Sequence, residues 1–391
     1  MVNAAKRVLN LPAYPFAILG QLIQEMIKQG QDVIRLDIGS PDMPPPDFVI
    51  DVLAASSRNP DHHGYSGYRG IPEFRRAVAK YYAKRFGVEL SSETEVLPVI
   101  GSKEAIINLT FAYIDDGDVA LVPTIGYPSY AMGACMAGGA VGYVPNMSDG
   151  GYMPNLGAIP ETLLSKARLF WINYPNNPTG AVADLDFYAE MVAFCKRYDI
   201  LLVSDNPYVD VTFDGYRAGS VLQVEGAKDH TVELISLSKS HNMAGWRLGA
   251  AVGNAKALKN LLNIKSNIDS GHFHPIYEAG AAALEQTSQT WIDERNAIYQ
   301  RRRDEVLAAL PEIGLTAHKP KGSLYIWAKV LDGNGQDYAQ AALEKAQVSL
   351  APGTIYGPDG SNYVRFSLGM SDERLTEALD RLKMWYGNNS H

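Results

Sequence analysis

Cysteine is nearly absent from this sequence: Cys135 and Cys195 are the only two in 391 residues. That excludes a disulfide scaffold and fits a reducing compartment. No CxxC or CxxH pair occurs, which removes the usual structural zinc sites. A run of about 18 apolar residues is also missing, so no membrane-spanning helix is expected. The N-terminal segment MVNAAKRVLNLPAYPF lacks the continuous apolar stretch of a secretory leader. A cytoplasmic protein, bound neither to membrane nor to nucleic acid, is therefore expected. Basic residues are in deficit, with 35 Lys and Arg against 43 Asp and Glu, so no broad cationic face is available for phosphodiester backbones. The densest basic run, Arg301-Arg302-Arg303, falls inside a helical pattern and reads as a solvated helix face.

Apolar residues are plentiful, at 46%, enough for a large core. Length alone suggests roughly two to three domain-sized units. Short apolar runs alternate with helical patterns. Asp118–Pro123, Arg168–Asn173, Ile200–Asp205 and Thr231–Leu237 are nearly continuous in apolar residues, as strands covered on both faces are. Between them, Leu185–Tyr198 reads as a helix with Phe187, Met191, Phe194 and Cys195 along one side. This is the βαβ rhythm of a mainly parallel sheet. It changes near residue 285. Trp291–Leu310 reads as one long helix, Leu324–Trp327 and Tyr363–Ser367 as shorter strands, and Ser371 starts a last helix with Leu375, Leu379 and Leu382 on one face. The division expected is an arm over 1–45, packing on the small domain or a partner subunit, a large α/β domain over 46–285, and a smaller α+β domain over 286–391.

Ligands of parallel α/β sheets bind beyond the carboxyl ends of the strands, and there the residues are unusually polar. After Glu95–Ile100 comes Gly101-Ser102-Lys103, an entry to a helix whose free N–H groups suit an anion, or serve as a plain cap. After the next strand comes Tyr127 on a tight turn, able to stack on a planar ligand or simply to pack. Asn173-Tyr174-Pro175-Asn176-Asn177-Pro178-Thr179-Gly180 is rigid turn chemistry that also presents the Asn177 amide. Asp205 ends a buried strand, where a carboxylate is costly without a cationic partner, although a helix N-cap would also explain it. Tyr208 follows. In SLSKSHNMAGWRLG, Lys239 ends the next strand, Ser236 and Ser238 precede it, and Arg247 follows eight residues later. A desolvated lysine beside other cations has a lowered pKa and can form a Schiff base, while Arg247 offers a planar fork for phosphate. Together these strand ends describe one ligand with a phosphate, a planar ring bearing a nitrogen and an oxygen, and a carbonyl. Pyridoxal 5′-phosphate has each of these.

NPTG (Asn177–Gly180), the Asp205/Tyr208 pair and SLSKSHNMAGWRLG make the sequence resemble the fold type I, pyridoxal-phosphate-dependent aminotransferases of classes I and II. The likeness covers nearly the whole chain. GSKEAI, LVPTIGYPSY and KGSLYIWAKV are closest in look to the LL-diaminopimelate and alanine aminotransferase group. The resemblance implies a large domain with a mainly parallel sheet plus a smaller α+β domain. It implies Lys239 as the Schiff-base lysine that also moves the Cα proton, Asp205 at the pyridinium nitrogen, Asn177 and Tyr208 at the ring oxygen, and Tyr127 against the ring. Ser102, Lys103, Ser236, Ser238 and Arg247 fall in the phosphate cup. Tyr65 matches a tyrosine that reaches the phosphate in the neighbouring subunit, which implies an obligate homodimer with shared sites. Gly39 and Arg365 match the site of the substrate α-carboxylate, and Tyr14 a substrate-proximal tyrosine.

Two departures leave the substrate open. The segment Asn267-Ile268-Asp269-Ser270-Gly271-His272 lacks the arginine that one aspartate subgroup uses. Tyr68 stands where some diaminopimelate enzymes carry a glutamate. Tyr14, Tyr68, Lys103, Ser270, His272 and His274 are the candidates for reading the side chain of the amino acid. The implied reaction is transfer of an amino group from an L-amino acid (LL-diaminopimelate, alanine, aspartate or glutamate) to a 2-oxo acid by ping-pong half-reactions. The same cofactor constellation also serves β-eliminating C–S lyases. A non-catalytic ligand-sensing module is a third reading, against which the short, non-basic N-terminal extension argues.

Overall fold

The computed structural model of the chain describes residues 2–9, 11–147 and 151–388. Seven strands form the larger sheet: β1 (Val96–Val99), β2 (Val119–Pro123), β3 (Ala140–Val144), β4 (Ala167–Ile172), β5 (Leu201–Asp205), β6 (Thr231–Ser236) and β7 (Gly249–Gly253). Their order is β1-β7-β6-β5-β4-β2-β3. Only β7 runs against its neighbours; the rest are parallel. Every residue of β1, β2, β5, β6 and β7 is buried, as their continuous apolar character requires. The pleat sends Leu202 into one core layer and Leu201 and Val203 into the other. Helices cover both faces, each buried aliphatic side chain contributing about 1.5–3 kcal/mol. In the helix Leu185–Arg197 the fully buried positions are Tyr188, Met191, Val192 and Cys195, while Phe187 and Phe194 flank them half-buried.

The smaller sheet comprises β8 (Leu315–Ala317), β9 (Tyr325–Val330), β10 (Ala351–Pro352) and β11 (Tyr363–Ser367), antiparallel in the order β10-β11-β9-β8. The helix Asp372–Gly387 packs Leu375, Leu379 and Leu382 into the same core. Its start is fixed by Ser371, whose side chain accepts from the Arg374 N–H. The two-residue strand Ile34–Arg35 pairs in parallel with Val348–Ser349. This pair is a two-stranded sheet of its own; the Leu36 carbonyl just beyond it accepts from the Ser367 N–H at 2.8 Å, which ties the N-terminal segment to the smaller sheet next to Gly39.

The helix Gln289–Ala309 leads from one sheet to the other, and Ser288 caps it. Here the reading of Arg301-Arg302-Arg303 as a solvated face is wrong for two of the three. Arg302 and Arg303 are buried, and only Arg301 is exposed. Arg302 bonds Asp42 at 2.8 and 3.0 Å and Asp372 at 2.7 Å. Arg303 bonds Asp214 at 2.7 and 3.0 Å. The carboxylates come from distant segments, so the basic run alone carried no sign of them. Pairing is what makes such burial tolerable.

Candidate active site

The carboxyl ends of β1, β2, β4, β5 and β6 share one edge of the larger sheet, and the Gly39 segment, β9 and β11 face that edge. Between them lies a cavity of about 410 Å³. Tyr14, Gly39, Ser102, Lys103, Tyr127, Asn177, Asp205, Tyr208, Ser236, Ser238, Lys239, Arg247 and Arg365 all line it. Tyr65 does not; it is 92% exposed in the single chain. The side-chain candidates Tyr68, Ser270, His272 and His274 are likewise outside it. His272 is fixed elsewhere, with Nε2 2.8 Å from the Arg247 carbonyl and Nδ1 3.1 Å from the Tyr277 hydroxyl.

Lys239 sits on a one-turn helix, Leu237–Ser240, which Ser236 starts by accepting from the Ser238 N–H. Its Nζ donates to the Gly39 carbonyl. Burial lowers the Lys239 pKa, and the Arg365 and Arg247 charges add to the effect against an opposing pull from Tyr325. A lysine so placed is a better nucleophile near neutral pH than an exposed one.

Asp205 is buried at the end of β5. Its Oδ2 accepts from the Tyr130 hydroxyl at 2.8 Å, and Tyr130 stacks on Trp171 with ring centroids 5.1 Å apart. Oδ1 is buried without a hydrogen-bond partner. Burial pushes the Asp205 pKa up to about 7, against the lowering effect of the Tyr130 and Ser102 hydroxyls. The cationic partner expected for this carboxylate is not supplied by the chain among the described residues. An orphaned buried acceptor of this kind suits an N–H donor from a ligand, a cationic one above all.

Arg247 has a left-handed backbone, φ 57°, and its Nη1 lies 3.4 Å from the Ser238 hydroxyl. Gly101 makes room for it. A Cβ at Gly101 would lie 2.3 Å from Arg247 Nη2, and the Gly101 φ of +72° is itself unsuited to other residues. Lys103 places Nζ 4.2 Å from the Tyr14 ring centroid. Ser102, Ser236, Ser238 and Arg247 thus form a rim of hydroxyls and one cation suited to a phosphate.

Arg365 projects from β11 into the cavity. Nη1 donates to Asn177 Oδ1 at 2.9 Å and Nη2 to the Asp37 carbonyl at 2.6 Å. The guanidinium carbon stands 3.9 Å from the Tyr325 ring centroid. Because Asn177 spends its oxygen on Arg365, its amide N–H₂ is the group left to meet a ligand. Tyr208 and Tyr325 exchange a hydrogen bond of 2.9 Å. Burial works to raise the Tyr325 phenol, but Arg365, Lys239 and Tyr208 together hold it below its ordinary value.

Sequence reasoning overlooked Tyr325, Tyr130 and Asn173, whose Nδ2 donates to the Asp205 carbonyl at 2.6 Å. Tyr325 alternates with Leu324 and Ile326 in a strand and reads as core. Its register was the available signal: Trp327 pairs with Arg365, so Tyr325, two residues away, shares the Arg365 face.

Comparison with known proteins places these features in context. The family model described as aminotransferase class I and II matches residues 31–382. LL-diaminopimelate aminotransferase of Moorella thermoacetica is 45% identical, covering 99% of both chains. The enzyme of that name from Desulforudis audaxviator is 46% identical over 97% of both. Among solved structures, apo-BacF from Bacillus subtilis superposes with a TM-score of 0.94 at 37% identity, covering 99% of both chains.

Proposed function

The chain belongs to the class I and II aminotransferases, and from that membership we propose that its cavity binds pyridoxal 5′-phosphate and that its amino donor is LL-diaminopimelate. The relatives that carry the diaminopimelate name match end to end; nothing in them favours the C–S lyase alternative. The single observation that carries the cofactor assignment is the buried, unpartnered Asp205 Oδ1. A protonated pyridine nitrogen is a cationic donor that suits this position, and the rest of the cavity is consistent with the rest of the cofactor. Ser102, Ser236, Ser238 and Arg247 would hold the phosphate, with Lys103 at its edge. Asn177 Nδ2 and the Tyr208 hydroxyl would bond the ring oxygen, and Tyr127 would cover the ring.

When bound, the cofactor supplies a carbonyl that condenses with amines and a protonated ring that draws electron density from the bond broken at Cα. The chain does the rest. Asp205 keeps the ring nitrogen protonated. Arg365, gripped by Asn177 and the Asp37 carbonyl, presents its fork to the substrate α-carboxylate beside Gly39. That fixes the amino acid so that its Cα–H faces Lys239, whose lowered pKa leaves the amine free to take the proton and return it. Tyr14 and Lys103 border the space left for the side chain. Tyr68 removes one partner for a distal ammonium, and the donor must find it elsewhere.

Completion of the phosphate cup by Tyr65 of a second copy, a homodimer, a 2-oxo acid acceptor and a cytoplasmic location belong to the same proposal, as do domain boundaries near residues 45 and 285. No helix among the described residues is long and apolar enough to cross a membrane. The test is a half-reaction screen. The cofactor-loaded enzyme is mixed with single amino acids, LL-diaminopimelate included, and the visible spectrum is followed. Rapid spectral conversion with LL-diaminopimelate, and none in Lys239→Ala, is expected. Conversion by another amino acid alone sinks the donor assignment, and wild-type turnover in Lys239→Ala sinks the lysine's role.

A further inference from the structure

We propose that Arg295 is a positioning residue for Lys239: its guanidinium clamps the backbone carbonyls at the end of the one-turn lysine helix and ties that turn to the helix leading into the smaller sheet. Arg295 lies on the Gln289–Ala309 helix and is buried. Its Nη1 donates to the Lys239 carbonyl at 3.2 Å and to the Ser240 carbonyl. Nη2 donates to the Asp210 carbonyl at 2.5 Å and to Asn296 Oδ1 at 2.8 Å.

These partners are all neutral. Among the described residues no carboxylate lies within ion-pair distance of Arg295. The Asp210 carboxylate is committed to the Tyr81 hydroxyl at 2.6 Å and to Arg85 at 3.2 Å. Burial pulls the Arg295 pKa down to about 10, so the side chain stays charged at neutral pH. A buried cation without a counterion is costly. If the position needed only filling, a long apolar side chain would serve at least as well. What arginine alone offers is five donors in a flat fork.

The lysine turn needs such a fork. The last four carbonyls of any helix lack intrahelical partners, and this helix has only four residues. The Leu237 carbonyl is taken by the N–H groups of His241 and Met243, both at 3.1 Å. The carbonyls of Lys239 and Ser240 are the ones Arg295 takes. A positive charge at a helix C-terminus also matches the helix dipole.

The same helix holds the other side of the lysine. Arg302, seven residues on and so on the same face, grips Asp42. Asp42 lies three residues beyond Gly39, whose carbonyl accepts from Lys239 Nζ. Both ends of the Lys239–Gly39 contact are thus anchored to one rigid element, which is what placing a reactive amine requires.

The role of Lys239 rests on the function proposed above, so the experiment reads the clamp and the catalysis separately. Arg295→Lys keeps the charge without the fork; Arg295→Gln keeps a planar donor without the charge. Arg303→Lys, on the same helix but away from the cavity, controls for loss of any buried arginine. Two readouts are taken on cofactor-loaded protein: amide hydrogen exchange over residues 237–243, and steady-state kinetics with each substrate varied at saturating concentrations of the other. In both Arg295 variants exchange over 237–243 is expected to rise about tenfold or more. The value of kcat is expected to fall about ten- to a hundredfold, with KM for each substrate within about threefold of wild type. Arg303→Lys is expected to leave both readouts near wild type. Unchanged exchange, faster exchange with unchanged kcat, or an equal kcat loss in Arg303→Lys would each overturn the proposal. If the wild type itself does not transaminate, the function fails while exchange still reports whether Arg295 holds the turn.

Discussion

The Arg365 guanidinium and the Asn177 amide oxygen meet across 2.9 Å, joining the strand that would grip the substrate to the loop that would grip the cofactor. The bond orients both groups. It turns the Asn177 N–H₂ toward the ligand, and it holds one arm of Arg365 without neutralising its charge.

Replacing Asn177 by Asp would give Arg365 an internal carboxylate that competes with the carboxylate of the substrate. KM for the amino acid is expected to rise about ten- to a hundredfold, the range for losing a charge-assisted bidentate contact. Arg365→Lys should raise it similarly, because a point charge cannot span the carboxylate. Initial-rate kinetics on both variants check this. An unchanged KM in Asn177→Asp would mean that the two residues are not coupled.

Asp205 carries a pH prediction. Its folded pKa is raised from 3.8 to about 7, so between those values the cofactor-free folded chain binds a proton that the unfolded chain releases. Stability from this group is therefore present below about pH 4 and is lost as pH rises toward 7, by a few kcal/mol at most. His241, which burial pushes down to about 4, and the raised Glu104 and Glu233 carboxyls also contribute to the pH dependence of stability. The measurement is thus a difference: denaturant midpoints of wild type and Asp205→Asn from pH 4 to 8 in the cofactor-free state. The wild type should lose ground to the variant as pH rises. With cofactor bound the trend should vanish, because a cationic ring nitrogen then pairs the carboxylate. Parallel midpoint curves in the cofactor-free state would count against the raised pKa.

Two glycines separate substrate binding from cofactor binding. A Cβ at Gly39 would lie 2.0 Å from the Tyr325 hydroxyl, whereas one at Gly101 would lie 2.3 Å from Arg247. Gly39→Ala should displace Tyr325 from beneath Arg365, raising KM for the amino acid with cofactor affinity little changed. Gly101→Ala is strained by its left-handed backbone as well. It should weaken cofactor binding about tenfold or more, with kcat recovering at high cofactor concentration. Titrating cofactor and substrate against each variant distinguishes the two; the same defect in both would refute the division.

The strands that bear the site were legible because they are buried on both faces, so their apolar runs are continuous and their polar termini conspicuous. Asp205 and Lys239 stand out for that reason. Tyr325 did not, because an aromatic in a half-buried strand looks like packing until its cross-strand partner is known. Arg295 and Arg302 were invisible for a related cause. Their partners are backbone carbonyls and carboxylates scattered along the chain, and only folding brings those together. Lys103 carries two expectations, the phosphate cup and the reading of the side chain, and its ammonium lies over the Tyr14 ring, a contact that no spacing in the sequence announces.

Of the residues expected to hold the cofactor, Tyr65 is the one that its own chain leaves outside the cavity. Tyr65, Tyr68, Ile268 and Phe273 are all exposed large side chains, carried on two segments that touch where the Ser66 hydroxyl donates to the His272 carbonyl at 2.6 Å. Exposed apolar side chains grouped in this way suit the subunit interface proposed above. If a second copy covers it and Tyr65 serves the phosphate of that copy, each site takes Lys239 from one chain and Tyr65 from the other. Lys239→Ala is then inactive, and Tyr65→Ala is impaired at limiting cofactor. Hybrids of the two variants should contain one site with both residues intact. Co-expressing them with different affinity tags, purifying the hybrid and assaying at limiting cofactor should give about half the wild-type activity per dimer. That exceeds the mean of the two parents. Activity equal to that mean would show that Tyr65 does not act across the interface. Failure to recover any hybrid would show that no stable dimer forms.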